Sequence, residues 1–253
     1  RLTAQTNSDP RLRRVHPRLT LHAMSGLQRP QSRVATLVRG LLARPFDVAV
    51  SLNMPGRSFR GPLPDATPEH RRLTAALRAD VEWLAGEIGE RNVFRPGTLR
   101  AAEEGLGLRL QRLGLKVHRQ PFMANQFECV NLWVDIPGRE KPDQIIVYGS
   151  HYDSVRHCPA ANDNATGVAA VLEMARRLAA LPAGQRPART VRLAFFANEE
   201  PPFFWTRHMG SLVMATACRE KGEKIVGMLT PETIGYYSDE PGSQKYPMPL
   251  PSR

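Results

Sequence analysis

Cysteine is scarce in this sequence: 253 residues contain three, Cys129, Cys158 and Cys218, an odd number with no close spacing. That argues against a disulfide framework and against a CxxC zinc site. Long apolar runs are missing as well. No stretch reaches 18 uncharged apolar residues, and the segment VATLVRGLLARPFDVAV is broken by Arg39, Arg44 and Asp47, so no membrane span is expected. There is no internal repeat. Lysine is absent from residues 1–53, where nine arginines face only Asp9 and Asp47, a net of +7. With +11 on the whole chain, the other 200 residues carry +4 (11 − 7), so the basicity belongs to the leader and no nucleic-acid partner is expected for the rest. The leader also lacks a continuous apolar core ahead of a small-residue cleavage site and does not read as a secretory signal. Residues 1–53 are taken as a basic leader, disordered or non-native, with an organelle-targeting segment or a nucleic-acid-binding arm as the alternatives. Neither a compartment nor an oligomeric state follows from the composition.

The remainder, with 42% hydrophobic residues in the whole chain, is long enough for one sizeable core, and a single folded part is expected over 54–253. Thr67, Pro68 and Glu69 offer an N-cap hydroxyl, a proline at the first helical position and an acid in the first turn. Leu73, Leu77, Val81, Leu84 and Ile88 then recur at spacings of three to four, which predicts an amphipathic helix. A second helix is expected from Thr98 to Leu113, with Leu106, Leu108, Leu110 and Leu113 as its apolar contribution and Gly114 as its stop. LKVHRQPF, FECVNLWVDIP and DQIIVYGS read as strands. ATGVAAVLEMARRLAAL reads as a helix with Val168, Val171, Leu172, Ala175 and Leu178 on one side. TVRLAFFAN, HMGSLVMATACREKG and KIVGMLTPETIGYY follow as strand, helix and strand. The alternation predicts an α/β fold with a largely parallel centre.

In open α/β sheets ligands bind beyond the carboxyl ends of the strands. His151 and Asp153 follow IIVYGS, with Asp163 later in the same connection; Glu199 and Glu200 follow TVRLAFFAN; Glu232 falls within the last expected strand. Each has an ordinary reading: a satisfied loop histidine, a helix N-terminal acid, a solvated pair of glutamates, an acid facing water. Those readings do not explain why three successive strand regions all deliver such groups. Carboxylates gathered round one cleft repel unless a cation neutralises them, so a metal site is expected. Residues i and i+2 of an extended segment point the same way, which lets Asp153 hold the imidazole of His151. Paired glutamates suit a division between holding metal and moving protons.

Four segments in order, GSHYDS, ANDNATGVAAVLEMARRL, RTVRLAFFANEEPPFF with the following MGS, and ETIGYYSD, resemble the co-catalytic zinc aminopeptidase family. That family includes bacterial leucyl aminopeptidases, glutamate carboxypeptidases, glutaminyl cyclases and the inactive transferrin receptor ectodomain. The resemblance runs over about residues 54 to 246. It implies a three-layer α/β/α sandwich with a mixed, largely parallel central sheet, two zinc ions, and a peptide or aminoacyl substrate. Position by position, it implies His151 and Glu232 as ligands of the first zinc, Asp163 as the bridging carboxylate and Glu200 as a ligand of the second. It further implies Asp153 as the residue that orients His151 and Glu199 as the general base.

The family also draws a histidine ligand of the second zinc from a later strand-end loop, and no histidine follows His208 here. His157 and His208 lie in motif segments with places of their own. The expectation is therefore a member incomplete at its C-terminus. Asn164-Ala165-Thr166 matches a glycosylation sequon but is expected to serve the motif, and Gly167 to allow close helix-to-strand packing. Phe203, Phe204 and Trp205 either line a substrate pocket or cover an apolar edge. The alternatives to a two-zinc exopeptidase are a single-zinc glutaminyl-cyclase-like acyltransferase and a degenerate, non-catalytic binding domain of the same fold.

Overall fold

In this computed structural model the chain divides into two compact units, Arg1–Leu63 and Pro64–Arg253. The structure describes residues 61–62, 64–238 and 240. The expected leader, residues 1–53, lies outside the described residues.

The predicted cap opens helix α1, Pro68–Val81. The Thr67 hydroxyl accepts the main-chain N–H of His70 at 3.1 Å, and the His70 side chain takes the reciprocal place more often filled by glutamate or glutamine. The apolar series expected to continue as one helix changes winding after Val81. Residues Glu82–Ile88 form a π-helical stretch that buries Leu84 and Ala85 together, and Gly89 ends it at φ +77°. Helix α2, Pro96–Arg112, buries Leu99, Ala102, Leu106 and Leu110, at spacings of three and four. Leu108, read above as part of that face, is exposed, because a residue two positions from Leu106 falls on the far side of a 3.6-residue turn. Gly114, at φ +74°, follows the end of α2 as expected.

Among the described residues, five strands make one sheet: β1 (His118–Ala124), β2 (Phe127–Ile136), β3 (Lys141–His151), β4 (Arg189–Phe196) and β5 (Lys224–Leu229). Their order is β1-β2-β4-β3-β5. The β1/β2 and β2/β4 pairs are antiparallel, and β4, β3 and β5 run parallel, so the sheet is mixed. Helix α3, Thr166–Ala179, crosses from β3 to β4 and buries the predicted set Val168, Val171, Leu172, Ala175 and Leu178. Each of the valine and leucine side chains contributes about 1.5–3 kcal/mol by leaving water. The larger core joins α2 and α3 to β2 and β4, through Leu106, Leu110, Leu132, Val134, Leu172 and Leu193. Helix α4, Gly210–Glu220, closes the other face with Met214 and Cys218 against Ile145, Val147 and Phe196. Arg192 stitches that face together, reaching Asp135 at 2.8 Å and Glu223 at 2.5 Å. Helices on both faces give the three-layer α/β/α arrangement expected from the resemblance.

The last expected strand is shorter than the sequence suggested. β5 stops at Leu229; Pro231 has no N–H for a ladder, and Thr233 turns back at φ +48°. Glu232 therefore sits in the loop beyond the strand. The three cysteines are free thiols. Among the described residues no helix is long and apolar enough to cross a membrane.

Candidate metal centre

The two central parallel strands deliver the site. His151 closes β3 directly beside Phe196, the last residue of β4, so the segments leaving the two strands start as neighbours. Asp153 ties them together. Its carboxylate accepts the main-chain N–H of Glu199 on Oδ1 and of Glu200 on Oδ2, both at 3.1 Å. The residue expected to orient the histidine thus also holds the backbone of the glutamate pair.

The His151 ring is buried and its two nitrogens face different groups. Nδ1 lies 3.3 Å from Asp153 Oδ1, within ion-pair reach but without hydrogen-bond alignment. Nε2 lies 3.1 Å from Asp163 Oδ1, 3.5 Å from Glu232 Oε1 and 3.8 Å from Glu199 Oε2. Asp163 and Glu232 are far apart in sequence and are brought together by Asn164. Its side-chain amide donates to Ser150 Oγ (2.8 Å), Pro231 O (3.0 Å) and Glu232 Oε2 (2.7 Å), while its Oδ1 accepts from Gly167 N at 3.0 Å. Fully buried and bonded in this way, Asn164 has no room for a glycan. A Cβ on Gly167 would collide with Asn164, Ser150 and the Pro231 carbonyl, which explains the glycine by close approach of α3 to the β3 end.

All six residues singled out in the sequence therefore meet at one place. Their candidate ligand atoms form two groups, His151 with Asp163 and Glu232, and His151 with Glu199 and Glu200, each with all atoms within 4.8 Å of one another. At zinc–ligand bonds of about 2.0–2.2 Å, the edges of a tetrahedral shell measure roughly 3.3–3.6 Å. The His151–Glu232 distance of 3.5 Å falls on that edge and the His151–Asp163 distance of 3.1 Å lies just inside it, and the donor set of imidazole and carboxylates suits zinc, manganese or cobalt. Among the described residues His157 and His208 belong to neither group. His208 instead packs edge-on against Phe203, 6.0 Å between centroids.

The electrostatics call for a cation. Burial, reinforced by the charge of Asp163, pushes the Glu200 carboxyl up to about 7. Burial also raises Glu199, outweighing the neighbouring His151 that would lower it. Burial disfavours a charged His151, yet Asp153, Asp163 and Glu232 outweigh it and hold the imidazole well above its ordinary 6.5. The hydrogen bond to that imidazole, in turn, lowers Asp163. Protons thus gather where a divalent ion would compensate the same carboxylates.

One residue near the site carries no local signal in the sequence. Arg91 is buried behind the loop that follows β3, in a polar Gly-Glu-Arg-Asn segment that gives no sign of an interior residue. The aromatic cluster is split between the interior and the surface. Phe203 is core, edge-on to Phe127 at 6.5 Å, whereas Phe204 and Trp205 stack on each other at the surface.

Residues 131–248 match the family described as Peptidase family M28. The chain is 34% identical over 195 residues to the uncharacterized protein YfbL of Escherichia coli K12, covering 74% of this chain and 57% of that one. It is 29% identical over 214 residues to leupeptin-inactivating enzyme 1 of Streptomyces exfoliatus, covering 82% of this chain and 46% of that one. The chain thus spans about half the length of these curated relatives. The crystal structure of an Acidobacteriales bacterium glutaminyl cyclase shares the fold, with a TM-score of 0.55 and 22% identity over 70% of this chain and 64% of that one. The four ordered motifs and the strand ends that carry them all lie within residues 131–248, the stretch that matches Peptidase family M28.

Proposed function

We propose that residues 54–253 are catalytic-domain sequence of a zinc-dependent aminopeptidase that hydrolyses the first peptide bond of an unblocked peptide with two metal ions. The observation that carries this reading is the pair of ligand groups sharing His151, one completed by Asp163 and Glu232 and the other by Glu199 and Glu200. In it, His151 and Glu232 would hold the first ion, Glu200 would hold the second, and Asp163 would serve both. When bound, the zinc ions supply Lewis acidity, polarising the scissile carbonyl and lowering the pKa of water toward ~7.

The protein's own groups do the rest. Asp153 keeps the His151 ring turned with Nε2 inward and fixes the Glu199 and Glu200 backbone at 3.1 Å. Glu199 takes the proton of the attacking water and returns it to the departing amine, a role typically worth ~10²–10⁴ in rate. The bond between the first residue's carbonyl carbon and the next nitrogen breaks, and water supplies the new carboxylate oxygen.

Mass spectrometry of the products tests the reading. The full-length protein with zinc is expected to shorten an unblocked peptide by one N-terminal residue and to leave its N-acetylated form untouched. A glutaminyl peptide that loses ammonia without shortening would show the cyclase alternative instead. No change in any peptide, at full zinc loading, would leave the non-catalytic binding domain.

A further inference from the structure

Arg91 carries a charge into the interior and spends it on main-chain carbonyls. The residue is fully buried, and among the described residues every hydrogen bond of its side chain ends on a backbone oxygen. Nε donates to Tyr152 O at 2.6 Å; Nη1 donates to Pro159 O at 2.5 Å and Gly89 O at 3.0 Å; Nη2 donates to Ala160 O at 3.2 Å. The backbone adds a reciprocal link, Arg91 N to Ser154 Oγ at 3.0 Å and Ser154 N to Arg91 O at 2.9 Å.

These partners are not scattered. Tyr152 and Ser154 lie at the start of the connection after β3, and Pro159 and Ala160 lie near its end. The first pair flanks Asp153 and follows His151; the second leads directly into Asp163. One planar group with donors in a fixed fork therefore sets the span between two stretches of chain that must both reach the metal position. A residue that merely filled the core would be cheaper as a leucine or methionine, since desolvating a guanidinium costs free energy that the carbonyls must offset. Burial lowers its pKa to about 10, so it stays a cation at neutral pH, and Asp153, Glu200 and Asp163 act on it from a distance.

We infer that Arg91 is a positioning residue of the metal centre: its guanidinium fixes the 152–160 segment so that His151 and Asp153 at one end and Asp163 at the other meet at ligating distance. It acts through the main chain and touches neither ligand side chains nor substrate. The inference rests on the metal-centre reading above.

Cobalt(II) is the probe, because its d–d absorption reports the ligand field. Full-length Arg91→Lys and Arg91→Met are titrated with cobalt, with metal-free melting followed in parallel and Arg192→Met as a control for lost stability on the opposite face of the sheet. Both Arg91 variants are expected to bind cobalt roughly 10- to 100-fold more weakly, with an altered d–d band, as for other groups that act from behind metal ligands. Lysine keeps the charge but not the fork, so it should not restore the band. Arg192→Met should melt early yet bind cobalt as the parent does. Arg91 variants with parental affinity and band, whatever their melting temperature, would overturn the inference. If neither folds, Ser154→Ala decides: a several-fold loss of cobalt affinity at near-parental melting supports the clamp, and parental affinity refutes it. A parent protein that binds no cobalt would instead overturn the metal reading, and this inference with it.

Discussion

Glu199→Gln is expected to lower kcat by about 10²–10⁴-fold while zinc stays bound as tightly as in the parent. Two roles are open to Glu199 on geometry alone, since its carboxylate also belongs to one of the two candidate ligand groups. The amide keeps the shape and removes the charge and the basicity. Loss of turnover with zinc retained makes Glu199 the proton carrier; parallel loss of zinc makes it a ligand. The pH profile carries the same information. Burial raises the Glu199 carboxyl above its ordinary 4.5. A group whose charged form is disfavoured becomes a competent base only at higher pH. The acid limb of the parent's kcat/KM is therefore expected above 4.5, and it should vanish in Glu199→Gln.

Removal of Asp163 should have the largest effect on metal binding. Its Oδ1 stands 3.1 Å from His151 Nε2, closer than Glu232 or Glu199, and in the proposed arrangement both ions would depend on it. Asp163→Ala is expected to cost zinc affinity more than the roughly 10- to 100-fold typical of losing a partner behind the ligands. The fold should survive, because the Asp163 side chain is 51% exposed and its truncation leaves no interior cavity. Calorimetric titration with zinc, alongside metal-free melting, checks both halves of the statement. A variant that binds two zinc ions at parental affinity would remove Asp163 from the centre.

Much of this was legible in the sequence because it depends on short-range periodicity. The α3 face, Val168 to Leu178, follows from spacings of three and four, and the strand ends that carry His151 and Glu199 follow from short apolar runs that stop at polar residues. Where a local rule was stretched, it failed. Leu108 was counted with Leu106 although two positions on a helix do not share a face, and the last strand was drawn through Pro231 to Tyr237 although β5 ends at Leu229. The winding change at Glu82–Ile88 left no mark in an otherwise regular apolar series.

The site was legible as residue types and illegible as a network. Acids placed after successive strands pointed to a cation. Nothing local showed that Asp153 would hold the Glu199 and Glu200 amides, or that Asn164 would bridge Ser150 to Glu232, since those bonds close over 14 to 68 residues. Arg91 is the extreme case. Its side-chain partners in the loop lie 61 to 69 residues away and are all backbone carbonyls, which no side-chain pattern can announce.

Anomalous diffraction at the zinc edge, on crystals of the full-length protein soaked in zinc, tests the central claim most directly. One peak is expected among His151 Nε2, Asp163 and Glu232 and a second beside Glu200, sharing Asp163. A zinc-loaded crystal with no peak touching His151 or Asp163 would contradict it.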